Sequence, residues 1–168
     1  MLDNTKSQVF SEVFKYIMAG VLGILIIAIG YKSISAVRER ACLAEIKSFE
    51  IEMEGMDKNL RFGMKDKLTY NVPCNSNQVY IFDLTKPIDF GNFGKIPIMK
   101  DSLQTSGSHN VFAVRGNKVV ASFYAGSLEI SNPYYYCLLP IAGKISFFAE
   151  GAKDSARITI PEKQPQCA

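Results

Sequence analysis

The stretch YIMAGVLGILIIAIGY, residues 16–31, contains no charged side chain and decides how the rest of the chain is read. Sixteen helical residues reach about 24 Å at ~1.5 Å per residue, against a bilayer core of about 30 Å. Val13 and Phe14 lengthen the run on one side and Ser33 to Val37 on the other, so a transmembrane part over residues 13–37 is expected. Lys15 and Lys32 lie just beyond the run, where their amines can reach the interface. Tyr16 and Tyr31 bracket it as interfacial aromatics do. A buried helix of a soluble protein would not need that bracketing. A cleaved secretory signal would end at a small-residue site of the A-x-A kind. No such site follows here, and the helical pattern continues, so the segment is read as a retained anchor.

Downstream, Cys42, Ile46, Phe49 and Met53 recur at spacings of four, three and four, and Met56 and Leu60 keep the rhythm. They form one stripe of a helix, with Arg40, Glu45, Lys47, Glu50 and Glu54 largely off it. Gly55 is the expected stop. The chain therefore divides into residues 1–8, a polar leader or disordered N-terminus; residues 9–54, one long helix; and residues 63–168, a β-rich extracytoplasmic domain. The expected class is α+β: a helix, transmembrane and then amphipathic, packed on a small antiparallel β domain. Val79–Leu84 reads as a strand, and Val111–Val114 and Lys118–Tyr124 as a hairpin around Arg115-Gly116-Asn117. Ser127–Ile130 reads as a further strand, and Lys144–Phe148 with Arg157–Ile160 as another pair. Thr85–Gly107, with Pro87, Gly91, Gly94, Pro97 and Gly107, is expected to be a long irregular loop.

Two signals disagree about sidedness. Lys32, Arg38, Arg40 and Lys47 follow the apolar run, against Lys6 and Lys15 before it, which by the positive-inside rule places the C-terminal domain in the cytoplasm. The cysteines point outward. Four of them, Cys42, Cys74, Cys137 and Cys167, in a small β domain suit a disulfide-stapled extracellular module. Four cysteines allow three pairings that sequence cannot separate. The favoured set is Cys74 with Cys137 across the domain and Cys42 with Cys167 tying the tail to the helix. The outward placement is preferred because of what precedes the helix.

That entry reads Lys6-Ser7-Gln8-Val9-Phe10-Ser11-Glu12. An acid at the mouth of an apolar helix is costly and draws attention to function, although Glu12 could also pair with Lys15 on the helix surface. The segment resembles the processing region of type IV prepilins, and more closely the archaeal kind. In that resemblance Lys6 ends a short basic leader, Ser7 stands before the cut in place of the usual Gly, Gln8 is the first mature residue and Glu12 the fifth. It covers about the first fifty residues. It implies a pilin-like subunit, assembled through its N-terminal helix with like or related subunits and displaying a β head outside the cell. The close-packing candidates are Ala19, Gly20 and Gly23, with Ala19 and Gly23 in a small-x-x-x-small pair. The alternative is an uncleaved single-pass module of a cell-surface or secretion assembly.

No active site is legible, so a structural role is expected rather than an enzyme. His109 is the only histidine and lies in Ser106-Gly107-Ser108-His109 without an evident orienting acid. No C-x-x-C occurs, and neither a metal nor a cofactor is expected. The net charge of +3 over 168 residues, mixed in sign, argues against a nucleic-acid partner. The expected partners are membrane lipid and other subunits. Tyr134, Tyr135 and Tyr136 are a candidate binding face, with alternation placing Tyr135 opposite the other two.

Overall fold

The computed structural model describes residues 4–88, 99, 101–103 and 108–167, and of residues 4–13 the backbone alone. It divides into two units, Met1–Ala41 and Cys42–Ala168. Helix α1 (Asn4–Met53) runs without a break through the boundary. It starts before the expected residue 9, because nothing in Asn4-Thr5-Lys6-Ser7-Gln8 is a helix breaker. It stops where expected, at Gly55, whose φ of 72° suits the left-handed position after a helix. A short helix α2 (Met56–Asn59) follows.

In the first unit every side chain from Phe14 to Ala41 is exposed apart from the half-buried positions Gly23 and Gly30. Phe14, Ile17, Ile24, Ile26, Ile27 and Ile29 all stand open. This helix is long and apolar enough to cross a membrane.

The second unit is built from eight strands: β1 (Lys65–Asn71), β2 (Gln78–Phe82), β3 (Val111–Arg115), β4 (Lys118–Phe123), β5 (Leu128–Ile130), β6 (Tyr135–Leu138), β7 (Lys144–Gly151) and β8 (Ala156–Thr159). They form two four-stranded sheets, β1-β7-β8-β5 and β4-β3-β2-β6. All pairings are antiparallel except β5 with β8, which is parallel. The class is α+β as expected, with one parallel pairing that the periodicity does not reveal. The β3–β4 hairpin turns at Gly116, whose φ of 63° is what the first loop position of a two-residue II′ turn requires. The amide of Asn77 supports it by accepting the Gly116 N–H at 3.0 Å.

Strand β7 alternates cleanly, with Ile145, Phe147, Ala149 and Gly151 buried and their neighbours not, as in a sheet with one wet face. Strand β3 is buried on both faces. Val111 and Ala113 point into the main core between the sheets. Phe112 and Val114 join a second cluster with Phe82 and Met99. The stripe of α1 completes the main core. Phe49, 1% exposed, sets its ring edge-on to Tyr70 at 6.3 Å and to Phe123 at 5.4 Å. Those rings belong to β1 and β4, the edge strands of the two sheets. One helical residue thus bridges both layers, and Met53 and Met56 extend the contact. The Thr85–Gly107 loop expectation falls mostly outside the described residues.

Candidate functional site

The apolar half of α1 is the first candidate. Lys15 and Tyr16 at one end and Tyr31 and Lys32 at the other are exposed, as an interfacial bracket requires. Ala19, Gly20 and Gly23 lie on this open helix. A Cβ added at Gly20, Gly23 or Gly30 would meet nothing within 4 Å, so no described side chain of this protein packs over the smooth surface they make. Lys6, Ser7, Gln8 and Glu12 lie on the helical backbone, and their side chains are outside the described residues.

The cysteines pair differently from the favoured set. Cys42 bonds Cys74, with Cα atoms 4.9 Å apart, and Cys137 bonds Cys167, at 5.4 Å. The expectation of Cys74 with Cys137 and Cys42 with Cys167 is therefore corrected, and local hydrogen bonding supplies the reason. After β1 the chain makes a 3-10 turn (Pro73–Asn75) against the helix. There Cys74 donates its N–H to Glu45 Oε2 at 2.7 Å, and its carbonyl accepts from Arg115 Nη1 at 3.2 Å. The turn is thereby held beside Cys42, with Cys74 itself in the left-handed region at φ 57°. At the other end the tail lies along β6. Leu139 N–H donates to Pro165 O at 2.9 Å, and Cys167 N–H to Cys137 O at 3.1 Å. Buried Gln164 accepts from Ser146 N–H at 3.0 Å and donates to Leu139 O at 2.7 Å, tying the tail to the other sheet through β7.

The tyrosine cluster is divided by the pleat. Tyr135 stacks on Phe82 at 5.9 Å in the second cluster, and Tyr136 packs against the main core. Tyr134 precedes the strand at φ 69°, and its carbonyl accepts from Asp83 N–H at 2.9 Å. All three are half-buried, and burial pushes the Tyr136 phenol up from its ordinary pKa. Sheet packing accounts for these positions.

A cleft of about 470 Å³ opens beside Leu84, Asn110, Tyr124 and Ser127. Its buried amide is committed to the fold: Asn110 donates to Gly126 O at 2.7 Å and accepts from Ala125 N–H at 2.8 Å. Asp83, also buried, is engaged likewise. Its carboxylate accepts from Thr85 N–H at 2.9 Å, Thr85 Oγ1 at 2.6 Å and Ile130 N–H at 3.2 Å. Asp57 accepts from Ser127 N–H at 3.0 Å and sits against Gly126, where an added Cβ would lie 2.5 Å from the carboxylate. These polar groups, which sequence reasoning did not single out, hold turns in place. His109 is half-buried in the segment leading to β3. Among the described residues, no three His, Cys, Asp or Glu side chains stand close enough to hold a metal ion. Comparison with known proteins finds no matching family model, curated protein or solved structure.

Proposed function

We propose that this protein is a structural and interaction subunit, pilin-like in its first fifty residues, whose helix resides in a membrane or in the core of an assembly and whose β domain is displayed outside the cell. One observation carries the reading. From Phe14 to Ala41 an uninterrupted helix leaves its apolar side chains uncovered, and the same helix then supplies Phe49 and Met53 to the core of a folded head. A helix of this composition is stable only where something else covers it, lipid or other helices. Two disulfides in the head favour an oxidising compartment.

Processing between Ser7 and Gln8 would free an amine at the start of the mature helix. In a dry bundle that amine requires a counter-charge, and Glu12 of the partner subunit would supply it. Ala19, Gly20 and Gly23 would let neighbouring helices approach closely. The second reading, an uncleaved single-pass tether, is favoured by a specific observation: α1 begins at Asn4 and is already helical across Ser7 and Gln8. The mass of the membrane-extracted protein separates the two. A mature start at Gln8 supports the subunit, and a retained Met1 supports the tether. Glu12→Ala leaves membrane insertion intact under both readings and abolishes assembly under the first alone.

A further inference from the structure

Lys32, Arg38 and Arg40 follow the apolar run on the side of the folded head, and all three are exposed. None of them joins an ion pair among the described residues, whose salt bridges are Lys47–Glu50 and Arg157–Glu129. Glu39 is the only acid between Phe14 and Ala44. At ~100° per residue, Lys32, Arg40 and Arg38 point about 0°, 80° and 240° around the axis. They form a collar, not a face. A protein surface docked on one side would meet at most two of them, whereas headgroups surround a lone helix completely.

Depth agrees with the angular arrangement. Arg38 and Arg40 lie about 10 and 14 Å past Tyr31 along the axis. Helical side chains tilt toward the N-terminus, which on this side is toward the apolar run. The two guanidinium groups are thus carried back toward a headgroup layer about 5–8 Å deep. The sidedness conflict points the same way. With a disulfide-bearing head outside the cell, three cations on that side oppose the positive-inside rule, so their presence is explained by what they bind and not by topology.

We propose that Lys32, Arg38 and Arg40 form a juxtamembrane collar that recruits anionic phospholipid to the leaflet on the head side; this rests on the membrane reading above. The ligand class is a phosphodiester headgroup with net negative charge, and Arg supplies the forked donors that suit it.

The test uses the full chain in vesicles of phosphatidylcholine with phosphatidylglycerol, each lipid spin-labelled in turn, and reads the motionally restricted shell by electron spin resonance. The expected result is enrichment of phosphatidylglycerol by roughly fivefold over phosphatidylcholine, the scale of one cation near a charged surface. Enrichment falls toward one in about 0.5 M salt and in K32Q/R38Q/R40Q. It persists in K32R/R38K/R40K, which keeps the charge, and in K47Q, which removes a lysine paired within the head. An enrichment of one in the wild type, or one unchanged in the triple Gln variant, overturns the collar while leaving the anchor standing. Failure of the wild type to co-float with pure phosphatidylcholine vesicles after alkaline carbonate washing overturns the anchor, and the collar with it.

Discussion

The two halves of α1 are made of similar residues and live in opposite surroundings. Ile24 and Ile29 are 69% and 64% exposed, whereas Phe49 and Met53, farther along the same helix, are 1% and 0% exposed. The difference lies in the pattern and not in the apolar content. In the first half apolar residues run round the whole circumference, as a helix needs when every side meets lipid or another helix. In the second half they are confined to one stripe, as a helix needs when one side meets a sheet and the other meets water. A continuous backbone thus passes between two solvents, and the change of pattern near Arg38–Cys42 marks the crossing.

Substitutions break this comparison most strongly in the second half. Phe49→Ala removes the ring that bridges β1 and β4 and is expected to cost about 3–5 kcal/mol of head stability, measured by urea unfolding in detergent. Loss of the Cys42–Cys74 bridge, which closes a separation of 32 residues, lowers stability by about 3 kcal/mol in C42S/C74S. The same unfolding measurement reads it, and added reductant leaves that variant's remaining bridge, Cys137–Cys167, as the only further loss. Next comes pH. Burial, with the charge of Glu52 adding, pushes the Tyr70 phenol up to about 12. The folded state then holds a proton that the unfolded chain releases near pH 10. Stability is full below about pH 10 and declines as the pH rises toward 12, by on the order of 2 kcal/mol. Tyrosinate absorbance followed alongside unfolding checks this, and Tyr70→Phe flattens the slope. The smallest effect sharpens the contrast. Ile24→Ala changes head stability by less than about 0.5 kcal/mol, because nothing in the head touches Ile24.

What was legible in the sequence follows from periodicity. The stripe Cys42, Ile46, Phe49, Met53 is visible because a helix against a sheet must repeat every three to four residues, and each member is at least half-buried. The β3–β4 hairpin is visible because two β-branched runs flank Arg115-Gly116-Asn117. Strand β1 is not, because Lys65-Asp66-Lys67-Leu68-Thr69-Tyr70-Asn71 places charge on an exposed edge and buries only Tyr70. Strand β6 is hidden among tyrosines that serve both clusters. The division into two sheets and the parallel β5–β8 pair depend on contacts between distant segments, which no local pattern encodes. The bridges were illegible for the same reason. Their separations of 32 and 30 residues are too alike to rank, and the decisive contacts are Glu45 with the Cys74 amide and Pro165 with Leu139.

The Cys42–Cys74 bridge sits at the first residue of the head unit, where the exposed helix becomes a packed one. Any pull on the anchor arrives at that point. Without a covalent link the load would fall on one helical turn at a time, Ile46 and then Phe49, and the helix would peel away like tape at little force per step. With the link, tension passes at once into the Pro73–Asn75 turn and, through Arg115, into the β3–β4 hairpin. The head is therefore loaded in shear across many strands together, the geometry that suits a part meant to bear weight.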